Sequence, residues 1–118
     1  MNTKLLLKVR DRILAEPEHF DMAEYFLDQP CGTTACIAGW TKAIVTRQSL
    51  KNCRRSHIWA FARNALGINE EQAKKLFYDD HWPHPFDFNY AEANDNAKEL
   101  AQIAADRINH FIATNGEE

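Results

Sequence analysis

The chain has 118 residues, 45% apolar and 26% charged, with a net charge of −3 and three cysteines. A chain of this length is about one domain and can bury a core without staples, while an odd, small number of thiols excludes a disulfide scaffold. Nothing approaches the ~18 consecutive apolar residues of a membrane span. The opening MNTKLLLKVRDRIL follows three leucines with a cluster of charges, too short an apolar run for a secretory signal, so a cytoplasmic protein with reduced thiols is expected.

The apolar spacing predicts an all-α fold: one compact domain over residues 1–118, a bundle of five to six helices around a central small-residue helix at about 33–47. The first helix should run from Thr3, its N-cap, to Ala15, burying Leu6, Val9 and Ile13 and stopping before Pro17. A short helical turn is expected over Asp21 to Leu27, broken by Pro30 and Gly32. The third helix should begin near Thr33 and continue to about Arg47. Here Ala35, Gly39 and Ala43 are spaced by four, forming a face with nothing larger than a methyl. A mid-helix glycine costs about 1 kcal/mol relative to alanine. Close approach of another backbone is the expected compensation, with the Ala-rich last helix as the partner. Cys36, Trp40 and Ile44 supply bulk on the neighbouring stripe.

A fourth helix is predicted from Asn52 to Leu66, with Ile58, Phe61, Ala62, Ala65 and Leu66 at i, i+3, i+4, i+7 and i+8. Gly67 stands where a left-handed glycine would close it. The fifth helix opens at Asn69 with Gln72 as capping-box partner and Ile68 as the staple residue. The segment YDDHWPHPFDFNY reads as an aromatic loop, folding back over the Cys31 turn or offering its rings to a partner. The last helix should run from Asn89, boxed by Glu92, to Ala113. No stretch alternates β-branched and polar residues over five positions, so no strand is expected.

Charge is unevenly distributed. Between Asp28 and Glu70 there are six bases (Lys42, Arg47, Lys51, Arg54, Arg55 and Arg63) and no acid. The other eight bases face all 17 acids, so the middle is +6 and the remainder −9. The simpler expectation is a basic layer paired internally with acidic ends; the alternative is a surface for an acidic or phosphorylated partner. Lys51, Arg54 and Arg55, placed at the start of the fourth helix, form the most concentrated part of it, where backbone amides also attract anions. A nucleic acid fits less well, because no base-stacking aromatics interleave with these bases apart from Trp59.

The stretch PCGTTACIAGW carries two of the thiols. Cys36 falls in a helix interior on an apolar stripe and reads as core filler. Cys31 precedes the helix start, where orphan amides favour a thiolate. Cys31 as nucleophile with His19, His57, His81 or His84 as base, the loop histidine His84 foremost, is therefore the catalytic alternative, although no family-type nucleophile signature or phosphate loop surrounds it. Cys53 and His57, four apart, and His81 and His84 lack the spacing of a zinc site, so no metal and no cofactor are expected, and a metal-binding domain using the cysteines with His57, His81 or His84 is the further alternative.

The combination of CGTTACIAGW, ALGINEEQAKKLF, the WPHPF loop and a closing helix resembles a family of small uncharacterised bacterial and phage proteins with a Cys-Gly-Thr-x-x-Cys-x-Ala-Gly signature. Cys31, Gly32, Thr33, Cys36, Ala38 and Gly39 fall on that signature, and the likeness runs from about Phe20 to Ile112. The resemblance implies one small helical domain and adds no substrate or mechanism. The functional expectation is a non-catalytic binding module for a protein or anionic partner, with Lys51, Arg54, Arg55, Trp82 and His84 as candidate contacts.

Overall fold

The computed structural model describes residues 1–29, 32–94 and 96–118. Six α-helices dominate: α1 (Thr3–Ala15), α2 (Ile37–Thr46), α3 (Ile58–Leu66), α4 (Glu70–Phe77), α5 (Phe86–Glu92) and α6 (Ala97–Ala113). Between α1 and α2 lies a small antiparallel pair, β1 (Phe26–Gln29) and β2 (Gly32–Ala35), in register Phe26 to Ala35 and Leu27 to Thr34. The extents of 37 × 30 × 20 Å leave room for two helix layers in the thinnest direction, since a helix with its side chains is about 10 Å across. No helix among the described residues is long and apolar enough to cross a membrane.

α1 has the predicted bounds, but Asn2 rather than Thr3 caps it, accepting the Leu5 amide at 3.1 Å. Leu6, Val9 and Ile13 are fully buried, and α1 packs chiefly along α6, where Ala101, Ala104 and Ile108 are buried too. α3 ends as expected at Gly67, left-handed at φ 66°. The capping box of α4 is also present: the Gln72 amide donates to Asn69 Oδ1 at 2.8 Å, and the Asn69 amide donates to Gln72 Oε1 at 3.0 Å.

The middle of the chain departs from expectation. The helical turn predicted over Asp21 to Leu27 is bend and strand, and the segment from Thr33 belongs to β2. The central helix therefore begins only at Ile37, with Cys36 as its N-cap and Ala35 outside it. Tertiary bonds win over helix spacing here: the Cys36 amide donates to the Tyr25 carbonyl at 3.4 Å, and Phe20 bridges to Ala35. Gly39 is the close-approach point, but its neighbour is not the last helix. A Cβ there would drive into the Tyr25 carbonyl oxygen and stand 2.9 Å from the Ala35 Cβ and 3.2 Å from the Phe26 ring. α2 packs mainly on α3 and α1 instead.

The fourth helix is likewise shorter, starting at Ile58 after a 3₁₀ turn at Leu50–Asn52 and a loop in which His57 is left-handed at φ 55°. The aromatic loop contains a 3₁₀ turn, Asp79–His81, and the first five residues of the seven-residue α5. The last helix does not begin at Asn89. Asn94 adopts φ 51°, and Asn96 caps α6 by accepting the Glu99 amide at 3.1 Å.

Candidate functional site

A cleft of about 900 Å³ opens where the C-terminal ends of α1 and α2 meet the 3₁₀ turn at Leu50–Asn52 and the first residues of β2. Trp40, Ala43, Ile44 and Leu50 give it an apolar floor, and Arg12, Arg47 and Lys51 stand among its lining residues. Trp40 is buried; its indole N–H donates to the His19 carbonyl at 3.2 Å, and the Arg12 guanidinium lies 5.1 Å from its ring. Arg12 is also held by Glu16 one turn on, at 3.0 and 3.1 Å, so its charge is partly neutralised.

Arg47 and Lys51 differ from Arg12. Neither forms an ion pair among the described residues, and both are exposed. Arg47 occupies the position just past α2, with φ 56° and ψ 36°, where its amide donates back to Ile44 at 3.3 Å. Left-handed backbone at this position ordinarily belongs to glycine, because a side chain adds steric cost. Arg47 adopts this conformation at that steric cost.

The wider basic segment is not paired with acidic ends. Of its six bases only Arg55 meets a carboxylate among the described residues, Glu24 at 3.6 Å. Arg55 also donates through Nη2 to the Phe26 carbonyl, tying the loop to β1. Lys42 donates to the carbonyls of Arg54 and Ser56 at 2.8 and 3.0 Å, which shapes the same loop. The predicted triplet is therefore divided. Lys51 lines the cleft, Arg55 braces β1, and Arg54 is exposed, none of them on a helix N-terminus as the sequence suggested.

Two of the remaining candidates lie elsewhere. Trp82 is not a surface ring: it is 2% exposed, donates its indole N–H to the Leu76 carbonyl at 2.9 Å and packs edge-on against Tyr90. The aromatic segment folds onto residues 20–22, where the Tyr90 hydroxyl accepts the Met22 amide at 3.0 Å and the ring meets Phe20. His84 is exposed beside Asp87, 3.5 Å away, and Phe88.

Cys31 lies outside the described residues. The imidazole against its neighbour Gly32 is that of His19, whose Cε1 a Cβ on Gly32 would approach to 2.9 Å. His19 Nδ1 is 3.1 Å from the Thr33 carbonyl; a carbonyl only accepts, so Nδ1 carries the proton. Cys36 is buried, and desolvation pushes its thiol up to about 11, as expected of core filler. Cys53 is buried in the loop before α3, not on a helix face with His57. No group of three or more His, Cys, Asp or Glu among the described residues could hold a metal ion.

In the sequence Arg47 is one of six bases and the approximate end of a helix; the further signal is that an arginine follows α2 in the slot that Gly67 fills after α3. The sequence offers His19 only as one of four candidate bases for Cys31, because its place in the cleft depends on the 3₁₀ turn Pro17–His19 docking on β2. Compared with known protein families, curated proteins and solved structures, the chain matches none of them.

Proposed function

We propose that the protein is a non-catalytic binding module that receives an acidic segment of a partner protein in the cleft between α1, α2 and the Leu50–Asn52 turn. The observation that carries this reading is the pair of unpaired cations, Arg47 and Lys51, at an apolar-floored cleft. Carboxylates of the partner meet these two side chains, and one of its apolar side chains covers Ile44 and Leu50. Charge of this kind governs encounter and register more than total affinity, while the apolar floor supplies burial. Arg54 extends the same basic surface beyond the cleft. The two free buried thiols, Cys36 and Cys53, support a reducing compartment such as the cytoplasm.

The test uses the strain at Arg47. Arg47→Gly relieves a left-handed side-chain residue, so stability should stay level or rise by up to about 1 kcal/mol. Binding of a labelled peptide of alternating glutamate and leucine should weaken by about tenfold or more, as for loss of one charged contact. Fluorescence anisotropy and urea unfolding read the two quantities on the same preparation. Unchanged peptide affinity in the folded variant would remove the cleft from consideration.

A further inference from the structure

A second polar site, independent of the cleft, lies under α6. Arg107 falls on the apolar stripe of that helix, one turn from Ala104 and Phe111, and its side chain is fully buried. Its guanidinium sits 6.0 Å from the Phe86 ring and 5.6 Å from the Phe111 ring. Nη2 donates to the Lys75 carbonyl at 2.9 Å, and Nη1 donates to Glu118 Oε1 at 2.5 Å. The Glu118 side chain is itself only 4% exposed, with His110 Nδ1 3.7 Å from the same oxygen. Segment 114–118 reaches this position by two left-handed residues, Asn115 and Gly116, with the Gly116 amide bonded to the Phe111 carbonyl.

The ion pair is incomplete. Arg107 Nε, Glu118 Oε2 and His110 Nδ1 are all buried without a hydrogen-bond partner. A guanidinium fork can give a carboxylate two parallel bonds, yet the Glu118 side chain takes one. Replacing a buried ion pair by well-packed apolar residues of similar volume is often neutral or stabilising, and a partly satisfied pair adds the cost of its unpaired atoms. An untethered carboxylate could turn to the Nη1/Nη2 edge, where Nη2 has a second N–H besides the one given to the Lys75 carbonyl, and could accept from His110 when Nδ1 carries a proton.

We propose that Arg107, oriented by the Lys75 carbonyl, forms with His110 a socket for a carboxylate. Glu118 fills it in cis, and a carboxylate from outside the chain fills it when Glu118 is withdrawn. The test is rescue of the full chain carrying Glu118→Ala. The substitution should lower the thermal midpoint. Acetate, titrated against chloride at fixed ionic strength, should restore it saturably while leaving the unsubstituted protein unchanged. The double variant Arg107→Met with Glu118→Ala should show no acetate response. If Glu118→Ala does not fold in chloride, folding on addition of acetate is the same readout, and Glu118→Gln, which keeps the shape, supplies a folded reference with a weaker response.

A pentapeptide of sequence Thr-Asn-Gly-Glu-Glu forms the second arm. Rescue by the peptide at lower concentration than acetate identifies an acidic chain segment as the ligand; rescue by acetate alone identifies a small free carboxylate. Equal acetate shifts in all three proteins, or no response to either probe, would overturn the socket. Neither result bears on the Arg47 cleft, whose residues are untouched.

Discussion

Cys36 shows how environment decides the chemistry of a side chain. Buried at the junction of β2 and α2, its thiol is shifted from an ordinary value of 9.0 to about 11, with desolvation the main cause and nearby backbone amides pulling the other way. The thiolate is the nucleophile, so at neutral pH Cys36 is inert. Iodoacetamide at pH 7.5 followed by peptide mapping should leave Cys36 unlabelled in the native protein and label it in urea. The same map reads Cys31, and rapid native labelling there would revive the thiol-enzyme alternative. Linkage adds a stability statement. A pKa raised by folding means the thiol's contribution is fully present below the unfolded value near 9 and is lost as pH rises through about 11. Tyr25, raised to about 12 by burial and by its bond to Tyr78, acts in the same direction slightly higher. Unfolding midpoints should therefore fall between pH 9 and 12, and substituting Cys36 by alanine should flatten the lower part of that decline. Arg107 could also have been noticed from sequence, as a charged residue at an apolar position of α6. Its partner Glu118 could not, because the turn through Asn115 and Gly116 is seen only in the fold.

At the scale of elements, Gly39 marks the contact that organises the centre of the molecule. A methyl there collides with the Tyr25 carbonyl, which is itself fixed by the Cys36 amide. Neither neighbour can retreat without opening the β1–β2 pair. Gly39→Ala gains about 1 kcal/mol of helix propensity but forces backbone displacement, and a net loss of about 2 kcal/mol is expected in urea unfolding. A stabilised variant would show that the approach is not needed. At the other end, Asn96→Ala should cost about 1 kcal/mol through the lost cap, whereas Asn89→Ala should be close to neutral. That contrast shows what was legible. Elements whose signals are local were read correctly: α1, the end of α3 at Gly67 and the capping box at Asn69. The start of α6 was misread because Asn89/Glu92 and Asn96/Glu99 offer the same spacing, and only the left-handed Asn94 separates them. The strands were missed because Gly32 to Ala35 is too short to show alternation and is held by Phe20 and Tyr25, residues with no sequence periodicity relative to it. Within the cleft, Lys51 is legible from charge density; the helix end near Arg47 is legible too, but not its left-handed backbone or its place beside the Leu50–Asn52 turn.

For the whole molecule, the decisive property is the +6 segment that the fold does not neutralise. Had the basic layer been paired internally, its field would be short-ranged and the surface indifferent to acidic partners. Instead Arg47, Lys51 and Arg54 carry their charge at the surface without an ion pair among the described residues, on a protein whose net charge is negative. Such a local field raises encounter rates with acidic partners and is screened over roughly 10 Å at 0.1 M salt. Binding of the glutamate–leucine peptide should therefore weaken as salt is raised, mostly through the association rate. Location can be separated from net charge by two double variants that each change it by the same amount. Arg47→Glu with Lys51→Glu reverses charge in the cleft. Lys74→Glu with Lys98→Glu does so at exposed positions of α4 and α6 that do not line the cleft. Stopped-flow anisotropy should show the first pair removing both the affinity and most of its salt dependence, and the second changing the association rate by less than about threefold, the scale of a distant screened charge. Equal effects from the two pairs would mean that overall charge attracts the peptide and that the cleft does not select it.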